Sequence, residues 1–408
     1  MQKALEGIRV IDLSHVLAAP TTTMYLADLG AEVIHLEPPQ GDDAREYGPF
    51  AGEPDKNHSG YFISLNRNKK SLVLNLRTAK GRDILRELIA VSDVIVENFR
   101  PTTMGKMGFG WEELQKINPR IIYASISGFG HDSPPEYAAR PSYDLVAQAY
   151  SGLMSITGPV GGPPCRVGSS VGDIVAGQQA TIGILAALAA REKTGRGQYY
   201  DGSMVDGLFS ILESAVARYT ITRQVPGPLG GAHPSITPFE AFRTKDAWII
   251  VAAGNDTLWA NLCRVLGRED LINDPRFATN HLRTENQPEL SQILTAELTK
   301  KTTAAWLQSF EKASIPHSPI NDIRQICEDP IIAHRGMLVT VDQPGVGPIR
   351  IAGSPIRLSE TPGAVAAPAP RLGEHSVEVL QTVLGYDEAR IAALQAEGVI
   401  ATDGEAVS

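Results

Sequence analysis

The sequence has few cysteines and no long apolar run. Only three cysteines, Cys165, Cys263 and Cys327, occur among 408 residues, and their spacing fits no metal-ligand pattern. An odd number of scattered cysteines favours reduced thiols. The first residues, MQKALEGIRVIDLS, lack the apolar core of a signal peptide, and no stretch approaches the roughly 18 apolar residues of a membrane span. We therefore expect a cytoplasmic protein with no membrane partner.

Positive charge is also scarce. The chain has 37 Lys and Arg against 46 Asp and Glu, a net charge of -9, and no basic stripe that would suit a nucleic acid. The turn after the first predicted strand reads SHVLAAP, not the G-x-G-x-x-G of a dinucleotide site. A P-loop, HExxH and G-x-S-x-G are absent too. These absences argue against the commonest nucleotide, zinc-protease and serine-hydrolase functions, and we expect neither a metal nor a permanently bound cofactor.

Strand and helix patterns alternate in the first half of the chain. Helices are predicted for PTTTMYLADLG and TAKGRDILRELIAV, and buried strands for IRVIDLS, AEVIHLE, KSLVLNL, DVIVENF and RIIYASISGFG. This alternation predicts an α/β fold with a Rossmann-like parallel sheet covered on both faces.

The second half has a different pattern. After a helix predicted from about Val205 to Thr222, the Pro/Gly-rich run QVPGPLGGAHPSITP (224–238) marks a boundary. A strand at DAWIIVAAG and three helices follow, near Thr257–Leu266, Glu289–Lys300 and Thr302–Ala313. We expect a large α/β domain over 1–223, a smaller α+β domain over 224–330, and a linker with two returning C-terminal helices over 331–408.

One acid stands at the start of an otherwise apolar helix. The stretch VGSSVGDIVAGQQATIGILAAL (167–188) contains Asp173 as its single charge, directly after small residues. Asp is a favoured N-cap and suits the positive end of the helix dipole. The small-residue turn would equally let a bulky group approach the carboxylate. From these residues alone, helix capping and chemistry both remain open.

A set of motifs in fixed order identifies a family. The chain contains GIRVIDLSHVLAAP, LADLGAEVIHLEPPQGDDAR, NRNKKSLVLNLR, DVIVENFRP, MGFGWEEL, SYDLVAQAYSGLMSITG, GDIVAGQQATIGILAALAAREKTGRGQ and HPSITPFEAF. Together they resemble the class III coenzyme A transferases, the family of formyl-CoA:oxalate and crotonobetainyl-CoA transferases. The resemblance covers nearly the whole chain.

The resemblance implies a chemical role for Asp173. In that family the acid at this position attacks the donor thioester, giving a mixed anhydride and free CoA thiolate. The thiolate returns to form an aspartyl-CoA thioester, which the acceptor acid attacks in turn. We expect the helix N-terminus to hold the Asp173 carboxylate ionised. The implied substrates are coenzyme A thioesters and a small carboxylic acid, a short mono- or dicarboxylate with succinyl-CoA as donor.

The resemblance also implies which residues bind coenzyme A. Tyr143 and Asp144 are expected near the nucleophile and the thioester. The remaining contacts are expected from His15, Val16, Leu17, Leu74, Arg77, Asn98, Phe99, Arg100, Lys106 and Met107. Pro38 and Pro141 stand where the formyl-CoA enzyme has basic residues, so that Arg45 is a candidate to replace the first of them.

Gly230 and Gly231 occupy the place of a mobile glycine loop that shields intermediates from water in relatives. The local alternative is an interdomain linker, and we expect His233 beside it to pack in the loop. The family architecture implies a homodimer of interlocked rings.

Two other functions remain open. α-Methylacyl-CoA racemases share the fold and use a His and an Asp, but here the segment ARPSYDLVA has no histidine, and His131 lies about ten residues earlier. A non-catalytic acyl-CoA-binding protein is the other alternative, although it would not need Asp173.

Overall fold

The computed structural model describes residues 3–52 and 58–402. Two 3-10 turns cover Asp43–Glu46 and Glu269–Leu271. The strands are β1 Arg9–Asp12, β2 Glu32–Glu37, β3 Phe50–Ala51, β4 His58–Ser59, β5 Lys69–Leu74, β6 Val94–Glu97, β7 Ile122–Ser127, β8 Tyr199–Ser203, β9 Phe239–Arg243, β10 Trp248–Ala252, β11 His317–Pro319, β12 Leu338–Gln343, β13 Gly347–Ala352 and β14 Ile400–Ala401. The helices are α1 Ala18–Asp28, α2 Gly60–Leu65, α3 Ala79–Ala90, α4 Thr103–Lys106, α5 Trp111–Ile117, α6 Pro135–Ala138, α7 Asp144–Tyr150, α8 Leu153–Ile156, α9 Val171–Thr194, α10 Met204–Ser210, α11 Ser214–Thr222, α12 Asp256–Leu266, α13 Asn280–Glu285, α14 Gln287–Leu298, α15 Thr303–Lys312, α16 Ile323–Glu328, α17 Pro330–His334, α18 Ser376–Leu384 and α19 Glu388–Ala396.

The chain divides into two compact units. The larger unit combines Met1–Leu153, Val167–Ser214 and Pro330–Ser408, and the smaller one combines Met154–Arg166 and Ala215–Asp329. The smaller unit therefore takes in 154–166 and 215–223, which the sequence analysis placed in the large domain.

The larger unit is built on a mostly parallel sheet, as predicted. Its described residues form seven strands in the order β14-β5-β2-β1-β6-β7-β8, all parallel except that β14 pairs antiparallel with β5. One apolar cluster packs α3, α5, α18 and α19 on one face, and a second packs α1, α9 and α10 on the other. The carboxyl ends of β1, β6 and β7 meet at one edge, where ligands bind in open α/β sheets.

Close packing of α1 on α9 places the acid identified in the sequence. A side-chain carbon on Gly177 would lie 2.5 Å from the carbonyl oxygen of Ala18, so only glycine allows this approach. Thr22 also donates a hydrogen bond of 3.0 Å to the carbonyl of Gly177. The first turn of α9 is thereby brought beside the segment that follows β1.

Helix α9 corrects one expectation from the sequence. By length and composition alone it could cross a membrane, contrary to our estimate that no stretch would qualify. A core helix of a globular unit passes the same test, and α9 packs its buried residues against α1 and the sheet.

Two further predictions were wrong in detail. The single helix expected from Val205 to Thr222 is two helices, α10 and α11, because Glu213 adopts a left-handed φ of 53° that no helix continues through. The stretch after 331 contains an antiparallel hairpin, β12-β13, besides the two predicted C-terminal helices.

The smaller unit has its own core. The antiparallel strands β9, β10 and β11 pack with α12, α14 and α15 around Trp259, Phe277 and Phe310. The predicted strand and three predicted helices of this region are all present.

Candidate active site

Asp173 lies in the first turn of α9 but is not its N-cap. The helix begins at Val171, so Asp173 is its third residue, and Ser170 precedes the helix without a side-chain cap. The capping interpretation is therefore wrong. No described residue donates a hydrogen bond to the Asp173 carboxylate or forms an ion pair with it, and the side chain remains partly exposed.

The capping function is supplied by a different helix. Asp144 Oδ1, in the first turn of α7, accepts a hydrogen bond of 2.8 Å from the N–H of Gly172. Asp144 Oδ2 accepts from Gln148, whose side-chain oxygen accepts the N–H of Val167 at 2.9 Å. A side-chain carbon on Gly172 would come within 3.1 Å of Asp144 Oδ1. The small residue at 172 thus admits Asp144, which fixes the turn that carries Asp173.

This arrangement makes Asp173 harder to ionise. Burial raises the pKa of Asp173 to about 7, and the negative charge of Asp144 adds to the effect. The sequence analysis expected the helix N-terminus to hold the carboxylate ionised at neutral pH; burial and the Asp144 charge oppose this. Near neutral pH the Asp173 side chain is therefore partly ionised. Because no hydrogen bond stabilises its charge, the carboxylate can attack as an anion and can also leave as an anion when the acyl group moves on.

Asp173 opens into a cavity of about 260 Å³ at the carboxyl edge of the sheet. The cavity also contains Arg140, Ser142 and Met204, which the sequence analysis did not assign, and Pro141 lines it as well. Gly128 admits the segment with Arg140 and Ser142, since a side chain there would overlap Ser142. The predicted residues found around this cavity are His15, Val16, Leu17, Asn98, Phe99, Arg100, Tyr143 and Asp173.

A larger cavity, of about 750 Å³, shares His15 and Phe99 with the first. Its lining includes the predicted residues Leu74, Arg77 and Met107. The two cavities therefore adjoin along one ring pair, whose centroids are 5.5 Å apart.

The large cavity has a second arginine that the sequence analysis missed. Arg82, in the first turns of α3, lines it together with Arg77 and donates to the carbonyl oxygens of Leu76 and Arg77 at 2.9 and 3.0 Å. Pro38 also lines this cavity, at the place where the formyl-CoA enzyme has a basic residue. No local signal in the sequence distinguishes Arg82 from a solvent-exposed helical arginine.

Arg45 does not replace that basic residue. Its guanidinium binds Glu37 through two hydrogen bonds of 2.7 Å and lies over the Phe62 ring, 3.7 Å from its centroid. The Arg45 side chain lines neither of the two cavities around His15. The charge of Arg45 is therefore paired with Glu37 within the fold.

The structure does not bring four other predicted residues to these cavities. Lys106 is exposed at the end of α4, and Asp144 is buried beneath the turn that carries Asp173. Gly230 and Gly231 lie in the smaller unit, where Gly230 donates to the carbonyl of Gly158 at 2.9 Å. Their role as a lid stays a prediction.

Neither His131 nor His233 lines the cavity of Asp173, whereas His15 does. His131 contacts Ser125 Oγ at 3.0 Å and does not line the cavity of Asp173. His233 packs against the ring of Phe239, 5.4 Å between centroids. Among residues 3–52 and 58–402, no group of three His, Cys, Asp or Glu side chains is arranged to hold a metal.

Comparison with known proteins assigns the chain to a family. The model of CoA-transferase family III matches residues 5–376. The chain is 42% identical to mouse succinyl-CoA:glutarate CoA-transferase over 400 residues, covering 98% of this chain and 90% of that protein. It is 42% identical to the acetyl-CoA:oxalate CoA-transferase of Acetobacter aceti over 367 residues, covering 88% of this chain and 92% of that one.

Solved structures agree. A CaiB/BaiF family protein from Brucella suis superimposes with a TM-score of 0.83 at 35% identity, over 93% of this chain and 99% of that one. A full-length match to the family, relatives named as transferases and a solved structure of the same architecture lead to one conclusion. This chain belongs to the class III CoA-transferases and is a CoA-transferase.

Proposed function

We propose that this enzyme moves coenzyme A from an acyl-CoA to a short dicarboxylic acid, with Asp173 as covalent carrier. The observation that carries the proposal is a partly buried carboxylate without hydrogen-bond donors, facing a cavity that adjoins a larger one with two arginines. The nucleophile must be unsolvated to attack and must later accept the acyl and CoA groups.

The proposed reaction balances without proton transfer. An Asp173 oxygen attacks the thioester carbonyl, the C–S bond breaks, and CoA leaves as a thiolate. The thiolate attacks the aspartyl carbonyl of the mixed anhydride, releasing the donor acid as its carboxylate and forming aspartyl-CoA. The acceptor carboxylate then displaces the thiolate, which attacks the new acyl carbonyl and frees Asp173.

In this proposal the larger cavity binds the phosphate end of the acyl-CoA, and the smaller cavity binds its thioester end. Arg77 and Arg82 in the large cavity suit phosphates, because guanidinium groups form charge-assisted bonds to them. His15 and Phe99 are shared by both cavities, so the pantetheine would pass between them toward Asp173.

A direct assay tests this function. Purified protein is incubated with succinyl-CoA, with and without glutaric acid, and products are separated by mass. We expect a new thioester only when the acid is present, and no deuterium uptake at the carbon beside the thioester. Deuterium exchange without transfer would instead show a racemase, and binding without either would show an acyl-CoA carrier.

Arg140 is the proposed partner of the acceptor's second carboxylate. It lines the cavity of Asp173, and its guanidinium lies 4.3 Å from the ring centroid of Tyr137, with the rings of Phe129 and Tyr150 at 5.9 Å. No ion pair joins it to a carboxylate of the described residues. Relatives of this chain are named for glutarate, oxalate and mesaconate, which are dicarboxylates.

Replacing Arg140 should therefore change acceptor choice. We expect Arg140→Gln to lower kcat/KM for glutarate by about 10- to 100-fold, the worth of one charge-assisted hydrogen bond, and to leave acetate nearly unaffected. Arg196→Gln, an exposed arginine away from the cavity, is the matched control. Equal losses for both acids would exclude this role for Arg140.

We also propose a homodimer. Large apolar side chains are exposed around the mutually packed helices α7, α9 and α10, among them Tyr143 at 74%, Ile182 at 66% and Phe209 at 54%. Exposed apolar surface of this kind marks interfaces. We expect light scattering to detect a dimer that persists on dilution to nanomolar concentration. We expect Ile182→Glu to favour a monomer. A wild-type monomer at nanomolar concentration would contradict the proposal.

A further inference from the structure

A buried carboxylate outside the cavities contacts the segment that shapes them. We infer that Asp42 is a positioning residue, which holds the backbone of Val16 in a left-handed conformation and so sets the wall of the cavity that contains Asp173. The inference rests on the proposed function, since it assumes that this cavity receives the thioester.

The Asp42 side chain is aimed at two backbone groups. Its oxygens lie 3.2 and 3.3 Å from the N–H of Val16, and Oδ1 also accepts the N–H of Ala44 at 2.8 Å. Asp42 is 1% exposed, so water does not compete for these bonds. Its own N–H donates to Glu37 at 3.1 Å, which fixes the residue from behind.

Val16 needs such a contact because its conformation is unfavourable. Its φ is 66°, a region in which a β-branched residue is rare and strained. The preceding residue is held from both sides, since His15 N–H donates to Asn98 Oδ1 and Asn98 Nδ2 donates to the His15 carbonyl, each at 2.8 Å. With His15 fixed by Asn98, the N–H of Val16 is the group that Asp42 must hold.

Buried charges of alternating sign stand behind Asp42. The His35 ring lies between two carboxylates, with Nδ1 3.2 Å from Asp12 and Nε2 3.7 Å from Asp42. Lys69 Nζ lies 3.0 Å from the same oxygen of Asp12. All four side chains are buried. Each of the two carboxylates has a basic side chain beside it, which offsets the free-energy cost of burying its charge.

The charge on His35 follows from this setting. Burial opposes protonation, but the carboxylates of Asp12 and Glu37 outweigh it and raise the pKa of His35 above its ordinary value, despite the opposing charge of Lys69. Because His35 Nδ1 faces Asp12 and Nε2 stays 3.7 Å from Asp42, beyond hydrogen-bond distance, His35 balances the Asp42 charge without taking the oxygens that hold Val16.

A double-mutant cycle separates positioning from general stability. Asp42→Ala, Val16→Gly and the double variant are compared for the KM of succinyl-CoA, for coenzyme A affinity by calorimetry, and for thermal unfolding. Glycine adopts positive φ readily, so a glycine at 16 should not need the contact. Glu46→Ala, an exposed carboxylate in the same 3-10 turn, is the control and should match wild type.

We expect Asp42→Ala to raise the KM and the dissociation constant about tenfold or more in the Val16 background, and less than about threefold in the glycine background. An equal effect in both backgrounds would overturn the inference, because loss of a merely structural residue is additive with Val16→Gly. If Asp42→Ala fails to fold, the double variant still decides: it must fold and bind coenzyme A for the inference to stand. Wild-type protein that binds no coenzyme A would instead refute the proposed function.

Discussion

Asp173→Asn is expected to abolish coenzyme A transfer, with kcat reduced about a thousandfold or more, while the protein still folds and binds coenzyme A. The amide has the shape of the carboxylate but cannot form an anhydride with the donor acyl group. The position makes no capping bond that the substitution could break. Stopped assays with succinyl-CoA and glutarate, together with calorimetric titration of coenzyme A, measure the two properties separately.

The chain contains a matched control for this variant. Asp206 is also the third residue of its helix, α10, but it is exposed and does not line the cavity of Asp173. Asp206→Asn should therefore retain wild-type activity. Transfer retained in Asp173→Asn would sink the covalent mechanism, whatever the control does.

The stability of the variant should change in the opposite direction from its activity. Because the folded-state pKa of about 7 lies above the ordinary value of an aspartate, the fold loses stability as the pH rises from that ordinary value through 7, and the loss is complete above 7. Asparagine carries no charge, so Asp173→Asn should melt at a higher temperature than wild type at about pH 8, with a free energy of unfolding larger by roughly 2 to 4 kcal/mol. At about pH 4 the difference should fall below about 1 kcal/mol.

The covalent intermediate can be trapped. Hydroxylamine added to wild type with succinyl-CoA should leave a hydroxamate on the peptide that contains Asp173, and borohydride should reduce an aspartyl thioester at the same residue. Neither label should appear in Asp173→Asn, which makes that variant the blank for mass spectrometry.

The second large effect is a pH dependence of the reaction. Because burial and the Asp144 charge raise the pKa of Asp173 to about 7, kcat/KM for the donor should be half-maximal near that pH. The reactive form is the carboxylate, so the rate should rise with pH and fall about tenfold for each pH unit below the midpoint. The profile is measured with acyl-CoA donors of different acids, which must share the midpoint.

Asp144→Asn provides the diagnostic shift. An asparagine oxygen can still accept the N–H of Gly172, but the negative charge beside Asp173 is gone. The midpoint should therefore move to lower pH, although burial still keeps it above the ordinary value for an aspartate. An unchanged midpoint would show that the profile reports another group, such as His15 in the same cavity.

Local patterns in the sequence were sufficient for the frame of the molecule. Periods of two and 3.6 residues predicted the strands β1, β2, β5, β6 and β7 and the helices α1, α3 and α9, because the chain itself sets which side chains share a face. Parallel order then brings the carboxyl ends of the strands to one edge, which is why His15 and Val16 after β1 lie around the same cavity as Asn98 and Phe99 after β6.

Charge partners were harder to predict than elements. Nothing near Arg45 in the sequence announces that Glu37 and the Phe62 ring hold its guanidinium, and so it was wrongly offered to a phosphate. Arg82 was overlooked for the same reason, since an exposed helical arginine and a cavity arginine have the same local pattern. Which cation faces a ligand depends on the surfaces that meet around it.

Asp173, at the start of α9, shows which properties follow from the sequence and which depend on the tertiary structure. The amino-acid sequence determined that a carboxylate, Asp173, follows a run of small residues at the start of a long apolar helix. Only the tertiary structure decided that Asp144 reaches across from another helix to hold that turn, and that Asp173 is left without donors and with a pKa of about 7. Desolvation and charge act through space, so they are set by what packs around a residue and not by its neighbours in the chain.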